Sequence, residues 1–158
     1  MQDWVASHLN RLRIICAAFL ASLPTYAGVV AALPAPERPT LTQGAHFLWI
    51  FAAVAVLNLV TVMPVYRAML APARRVFAVS QEVEPLLRAH VTAHVVAFAR
   101  LEAVAILGLA LYFLSGRADA FGVFAAVAAT GMLVLWPVRA KVAALVGSPA
   151  PNGTSIAP

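Results

Sequence analysis

The sequence predicts an all-α integral membrane fold: a four-helix bundle of two parallel-repeated helical hairpins, with both termini on one side. Three observations predict it. Hydrophobic residues make up 63% of the 158 and charged residues only 11%, against about 25% charged in soluble domains. Four stretches are apolar and long enough to cross a bilayer. The basic residues gather at one side of those stretches. A water-soluble domain of this size would leave too much apolar surface exposed and would aggregate, whereas a bilayer covers it.

Residues 14–36, 39–66 and 120–138 contain no Asp, Glu, Lys or Arg. Each is close to or above the roughly 20 residues that cross a hydrocarbon layer about 30 Å thick. Residues 91–114 are equally apolar apart from Arg100 and Glu102. Neither half of that stretch is long enough to span alone. Backbone in lipid must satisfy its own hydrogen bonds, so one continuous helix is expected. The helices are placed at about 12–33, 45–66, 91–114 and 119–138, in a single domain of residues 1–146. Arg11 and Arg13 look like the charged start of a signal peptide. The apolar run that follows exceeds the roughly 7–15 residues of such a peptide, so a retained helix is expected.

Residues 67–90 form the one substantial extramembrane loop, where Arg mixed with Leu, Val and Phe suits a short amphipathic helix on the membrane surface. Residues 147–158 are rich in Pro, Gly and Ser and are expected to be disordered. Pro24, Pro64 and Pro137 mark kinks or helix ends. Orientation follows from Lys and Arg in the short loops. One side carries Arg11, Arg13, Arg67, Arg74, Arg75, Arg88, Arg139 and Lys141; the other carries only Arg38 and Arg117. The first side, which holds both termini, is therefore read as cytoplasmic. The sequon Asn152-Gly-Thr154 falls on that side and is discounted.

The net charge of +5 does not indicate nucleic acid, because the basic residues sit at helix ends and form no stripe or aromatic-interleaved patch. Ten of the eleven are Arg, which with the excess of Ala and Val suggests a GC-rich bacterial gene and a place in the bacterial inner membrane. The single cysteine, Cys16, lies in the first apolar run and reads as a small apolar filler.

The two halves look related. Phe51-Ala-Ala-Val-Ala55 recurs as Phe124-Ala-Ala-Val-Ala128, and a Pro-Val pair follows each at the same distance, Pro64-Val65 and Pro137-Val138. Gly28 aligns with Gly108 in the first helix of each hairpin. Two spans per half keep the halves in the same orientation, so the repeat would be parallel.

Glu102 is the residue that needs explaining. It lies at the middle of its span, where a carboxylate costs several kcal/mol unless it is paired, protonated or hydrated. It is either a functional, ion-binding group or a hydrogen-bonding link between helices. Arg100 is two residues away and faces the other side of the helix, so it is expected to snorkel toward the cytoplasmic interface or to pair elsewhere. Ser22, Thr25, Tyr26, Asn58, Thr61 and Thr130 share the depth of Glu102 and would form a midplane polar layer. Ion binding would fall to Glu102, Asn58, Ser22 and Thr61, with Asn58 the best partner because an amide donates to a carboxylate and accepts from a carboxylic acid. Taken singly, each of these reads as interhelical glue.

His90 and His94 share a helix face at i and i+4, a spacing that can hold a metal, but no Cys or carboxylate completes a site. For bis-histidine haem, only His8 could supply a ligand from a second helix at that depth. Solvation at the interface accounts for both, and no cofactor is expected. There is no nucleophile elbow, phosphate-binding loop, HExxH or dinucleotide glycine motif, and no extramembrane segment large enough for an active site.

The stretch Glu84-Pro-Leu … Ala99-Arg-Leu-Glu102-Ala-Val-Ala-Ile-Leu-Gly108-Leu-Ala-Leu-Tyr112 resembles the carboxylate-bearing helix of the proteolipid (c- or K-type) subunits of rotary ATPases. The resemblance covers about 30 residues of the 158. It implies that Glu102 matches the ion-binding carboxylate, and a duplicated hairpin of this size is similar to the vacuolar-type proteolipid. The chain departs from that family in two respects. It has no glycine-rich partner helix, and its carboxylate lies on the first helix of a hairpin instead of the second, with Ser22 at the matching place of the other half.

The functional expectation is a noncatalytic subunit or scaffold of a membrane complex, not itself an enzyme, whose partners are the bilayer and other membrane subunits or further copies of itself. The alternatives are a proton-handling component that uses Glu102 and, third, a cofactor-binding membrane anchor.

Overall fold

The computed structural model describes residues 2–33 and 41–147. Among these residues the protein is all-helical: α1 (Gln2–Ala32), α2 (Leu41–Ser80), α3 (Val83–Ser115), α4 (Ala118–Val134) and α5 (Arg139–Gly147). The 34–40 link, which holds Arg38, and residues 148–158, which include Asn152 and nearly all of the expected tail, lie outside the described residues. Three helices, α1, α2 and α3, are long and apolar enough to cross a membrane. α4 has 17 residues, about 25 Å of helix, somewhat less than the hydrocarbon thickness.

Segment 67–90 is not a loop. α2 continues through Pro64 and Pro72 for 40 residues, and α3 begins at Val83, so only Gln81 and Glu82 separate them. The Ala, Arg, Met and Leu residues after Tyr66 are strong helix formers, so the charges that mark a membrane edge do not end the helix. Gln81 makes the turn with φ 57°, a left-handed conformation usually left to glycine or asparagine. Its N–H donates to Phe77 O at 2.9 Å, and Ser80 Oγ accepts from the Glu82 N–H at 3.2 Å. α3 ends on the conventional residue, Gly116 at φ 68°, whose N–H donates to Tyr112 O at 2.7 Å.

The other ends also shift. α1 begins at Gln2, well before the expected residue 12. The fourth helix stops at Val134 and not at 138, because Pro137 lacks an N–H and disfavours helix at the residue before it. Pro137 thus ends a helix, whereas Pro24 and Pro64 lie inside continuous ones. A short α5 follows where no helix is expected.

α3 is the axis of the fold. α2 and α4 lie against it antiparallel, and α1 lies against it in parallel while also touching α4 and α5. The parallel register shows in three places: His8 beside His90 (ring centroids 5.9 Å apart), Phe19 beside Phe98 (6.0 Å), and the Tyr112 hydroxyl at the last turn of α1. Both described ends of the chain therefore meet at one end of the bundle. There Leu9 of α1, Leu70 of α2, Leu86 of α3 and Val142 of α5 share an apolar cluster. The main core runs from that end along α3 through Phe98, Leu101, Val104 and Leu111.

The two halves do not pack alike. α3 and α4 form a close antiparallel pair in which a Cβ on Gly108 would stand 2.6 Å from the Phe124 Cβ. Small residues are what let helices approach this closely in lipid. Among the described residues, α1 rests on α3 and α4, with no comparable interface on α2. A Cβ on Gly28, which the expected repeat aligns with Gly108, would meet nothing within 4 Å among the described residues.

Polarity is distributed as a bilayer demands. Trp49 is 74% exposed, Val60 and Val134 67% each, while His90 and His94 are 3% and 4% exposed. Large apolar side chains face outward on α1, α2, α3 and α4, which marks contact with lipid or with another protein.

Candidate functional site

Glu102 projects from the middle of α3 toward α1. Its Oε1 accepts a hydrogen bond from the Tyr26 hydroxyl at 2.7 Å. The phenol donates, so the carboxyl can accept in either protonation state. Two elements place this bond: the parallel packing of α1 on α3, and the continuity of α1 past Pro24, which keeps Tyr26 facing the same neighbour.

Arg100 leaves the opposite face of α3. Its guanidinium donates to Thr61 Oγ1 of α2. α2 and α3 are antiparallel, and Tyr66 stands next to His94, so Thr61 is level with Arg100. The side chain thus pairs at its own depth and does not climb toward the interface as snorkelling would require. Arg100 Nε is buried without a hydrogen-bond partner. Thr61 Oγ1 also donates within its own helix, to Leu57 O at 2.5 Å.

The midplane layer therefore does not converge on one site. Asn58, the expected partner of Glu102, donates instead to Val54 O of its own helix at 3.0 Å. It sits on α2, across α3 from Tyr26. Ser22 donates to Phe19 O at 2.7 Å, Thr25 to Ala21 O at 3.3 Å and Thr130 to Ala126 O at 2.8 Å, all local back-bonds. Of the expected ion-binding set, only Glu102 and Thr61 take part in bonds between helices, and those are two separate bonds on two faces. The ion pairs among the described residues, Arg88–Glu84 at 2.5 Å and Arg117–Asp119 at 2.6 Å, are exposed and lie at opposite ends of the bundle.

A second polar cluster lies where the chain ends meet. The ring centroids of His90 and His94 are 4.3 Å apart, with their planes inclined at 60°. Tyr66 stands edge-on to His94 at 5.1 Å, with its hydroxyl 3.3 Å from His94 Nδ1, and that nitrogen is also 3.1 Å from His90 O. His8 reaches the cluster from α1. The two histidines are thus packed inside the protein and not solvated at an interface. Among the described residues, no three His, Cys, Asp or Glu side chains are arranged to hold a metal.

Sequence reasoning missed the role of Tyr112. Its hydroxyl lies 2.7 Å from Leu33 O and 3.2 Å from Val30 O, so it caps carbonyls that the end of α1 leaves without helical partners. A lone Tyr near the end of an apolar span was the available signal. Lys141 does the same for α4, with Nζ 2.8 Å from Val134 O. Arg13 ties α1 to the α4–α5 link through Pro137 O at 3.4 Å.

Searches of protein-family models, curated proteins and solved structures match this chain to none of them.

Proposed function

We propose that this chain is a noncatalytic membrane subunit or scaffold that spans the bacterial inner membrane four times, with both termini in the cytoplasm. One observation carries the reading. The strongest polar groups at mid-depth each link a different helix to α3, Tyr26–Glu102 holding α1 and Arg100–Thr61 holding α2. Such bonds fix the order and register of helices where lipid offers no hydrophobic drive. The apolar outer face of α2 is left for lipid or for a membrane partner. The cytoplasmic assignment is supported by the basic residues around the end where α1 begins, α2 turns into α3 and α5 follows α4. α4 then crosses as a short helix extended by Leu135 and Trp136.

A second reading is favoured by the Tyr26–Glu102 bond itself and by the resemblance to proteolipids. In that reading Glu102 binds and releases protons, and Tyr26 holds it in place. Reconstitution in liposomes with an internal pH dye and an imposed potassium potential separates the two. A scaffold gives proton flux equal to that of empty liposomes. A proton-handling protein gives flux that Glu102→Gln and dicyclohexylcarbodiimide both abolish. The cluster of His8, His90 and His94 supports the third reading, a cofactor-binding anchor, and haem would reveal itself by a Soret band in the purified protein.

A further inference from the structure

We propose that the end of the bundle where both described chain ends meet holds a binding site for a phosphate group, in the cleft between α2, α3 and α5. The cleft has a volume of about 290 Å³ and is lined by Tyr66, Arg74, His90, His94, Lys141 and, among its apolar walls, Pro137. It differs from the basic surface around it in three ways.

First, its charge has one sign. Arg74 comes from the extension of α2 and Lys141 from α5, and none of the residues lining the cleft is acidic. Elsewhere at this end Arg88 is neutralised by Glu84. Second, it has buried hydrogen-bonding groups beneath the cations. His90 and His94 are more than nine-tenths buried, and His90 Nδ1 has no hydrogen-bond partner. A buried polar group left without a partner costs about 1–3 kcal/mol, and a neutral imidazole that turns its ring N–H to an oxyanion in the cleft offsets that cost. Third, its position is that of a headgroup. The cleft lies at the end of the apolar spans, and Pro137, Val142 and Ala144 give it apolar walls against which glycerol carbons can rest. Basic pockets between helix ends are where phosphate-bearing lipids are held. The α2 extension through Pro72 and the helix break before Pro137 are what bring Arg74 and Lys141 to the same opening, so the two departures from the expected fold create the site.

The occupant is a phosphate group, carried by a lipid such as phosphatidylglycerol or free in solution. This site rests only on the chain spanning a membrane, not on the scaffold reading, so either can fail alone. The test uses the full chain in nanodiscs of phosphatidylcholine doped with phosphatidylglycerol, with lipid retention read by native mass spectrometry. Arg74→Gln is compared with Arg75→Gln, which removes the same charge from the next residue outside the cleft; both side chains are exposed. In parallel, inorganic phosphate is titrated against the protein in discs of phosphatidylcholine alone. Loss of phosphatidylglycerol by about tenfold in Arg74→Gln, with less than twofold change in Arg75→Gln, supports a lipid occupant. Phosphate binding that depends on Arg74 without lipid preference supports a soluble one. Equal losses in both variants reduce the effect to general surface charge and overturn the proposal, as does the absence of loss in either.

Discussion

The α3–α4 pair and the α1–α2 pair share the Phe-Ala-Ala-Val-Ala and Pro-Val signatures, yet they use them differently. In the second half, Phe124 of the shared motif lies against Gly108, and the two helices close on each other. In the first half, Phe51 packs at the margin of the main core, and α1 turns to α3 instead of to its own sequence neighbour. The close α3–α4 contact depends on apolar shape, whereas α1 and α2 are linked to α3 by polar bonds, Tyr26–Glu102, Tyr112 to the α1 end, and Arg100–Thr61. Similar sequence in two places therefore does not specify similar packing in lipid. What decides it is where glycine permits approach and where a polar group demands a partner.

Substitutions can break this contrast. Gly108→Ala has the largest expected effect. The new Cβ meets the Phe124 Cβ at 2.6 Å and the Phe121 backbone at 3.4 Å, atoms that cannot swing away, and the cost is about 2–3 kcal/mol. Gly28→Ala meets nothing among the described residues and should be within about 0.5 kcal/mol of neutral. Reversible unfolding in bicelles measures both; equal costs would remove the asymmetry. Gly116→Ala comes next, at about 1–2 kcal/mol, because φ 68° is hostile to a Cβ. Tyr112→Phe should cost about 1 kcal/mol by uncapping α1. Faster hydrogen exchange confined to the last turn of α1 would accompany it. The smallest effect has the opposite sign. Gln81→Gly should stabilise by roughly 0.5 kcal/mol, since it relieves φ 57° in the exposed α2–α3 turn.

Much of the fold is legible in the sequence because hydropathy and length are local. The long apolar helices and their approximate middles follow from counting residues against bilayer thickness, and they recur in α1, α2 and α3. The join between α2 and α3 is not legible that way. Charge reports where a helix leaves lipid, not where it ends, and Ala, Arg and Leu carry α2 on to Ser80. The candidate site is legible in depth but not in direction. Tyr26, Asn58 and Glu102 do lie at similar depths, and residue counting alone gives that. Whether α1 or α2 lies against the Glu102 face depends on the order of helices around α3, which no local pattern encodes. Asn58 was the chemically better partner, but it sits on the wrong neighbour, and Tyr26 takes the bond. The opposite facing of Arg100 and Glu102 was legible, because the period of a helix fixes it. The cleft lined by Arg74, His94 and Lys141 was not, since it draws on three elements distant in sequence.

The central claim is that the midplane carboxyl holds α1 on α3. It is tested most directly by a double-mutant cycle of Tyr26→Phe and Glu102→Gln on unfolding in bicelles. A structural bond between them predicts that the two single losses are not additive, with a coupling of about 0.5–2 kcal/mol. Additive losses would mean that the carboxyl gains nothing from Tyr26, and would contradict the account by leaving Glu102 without a structural role.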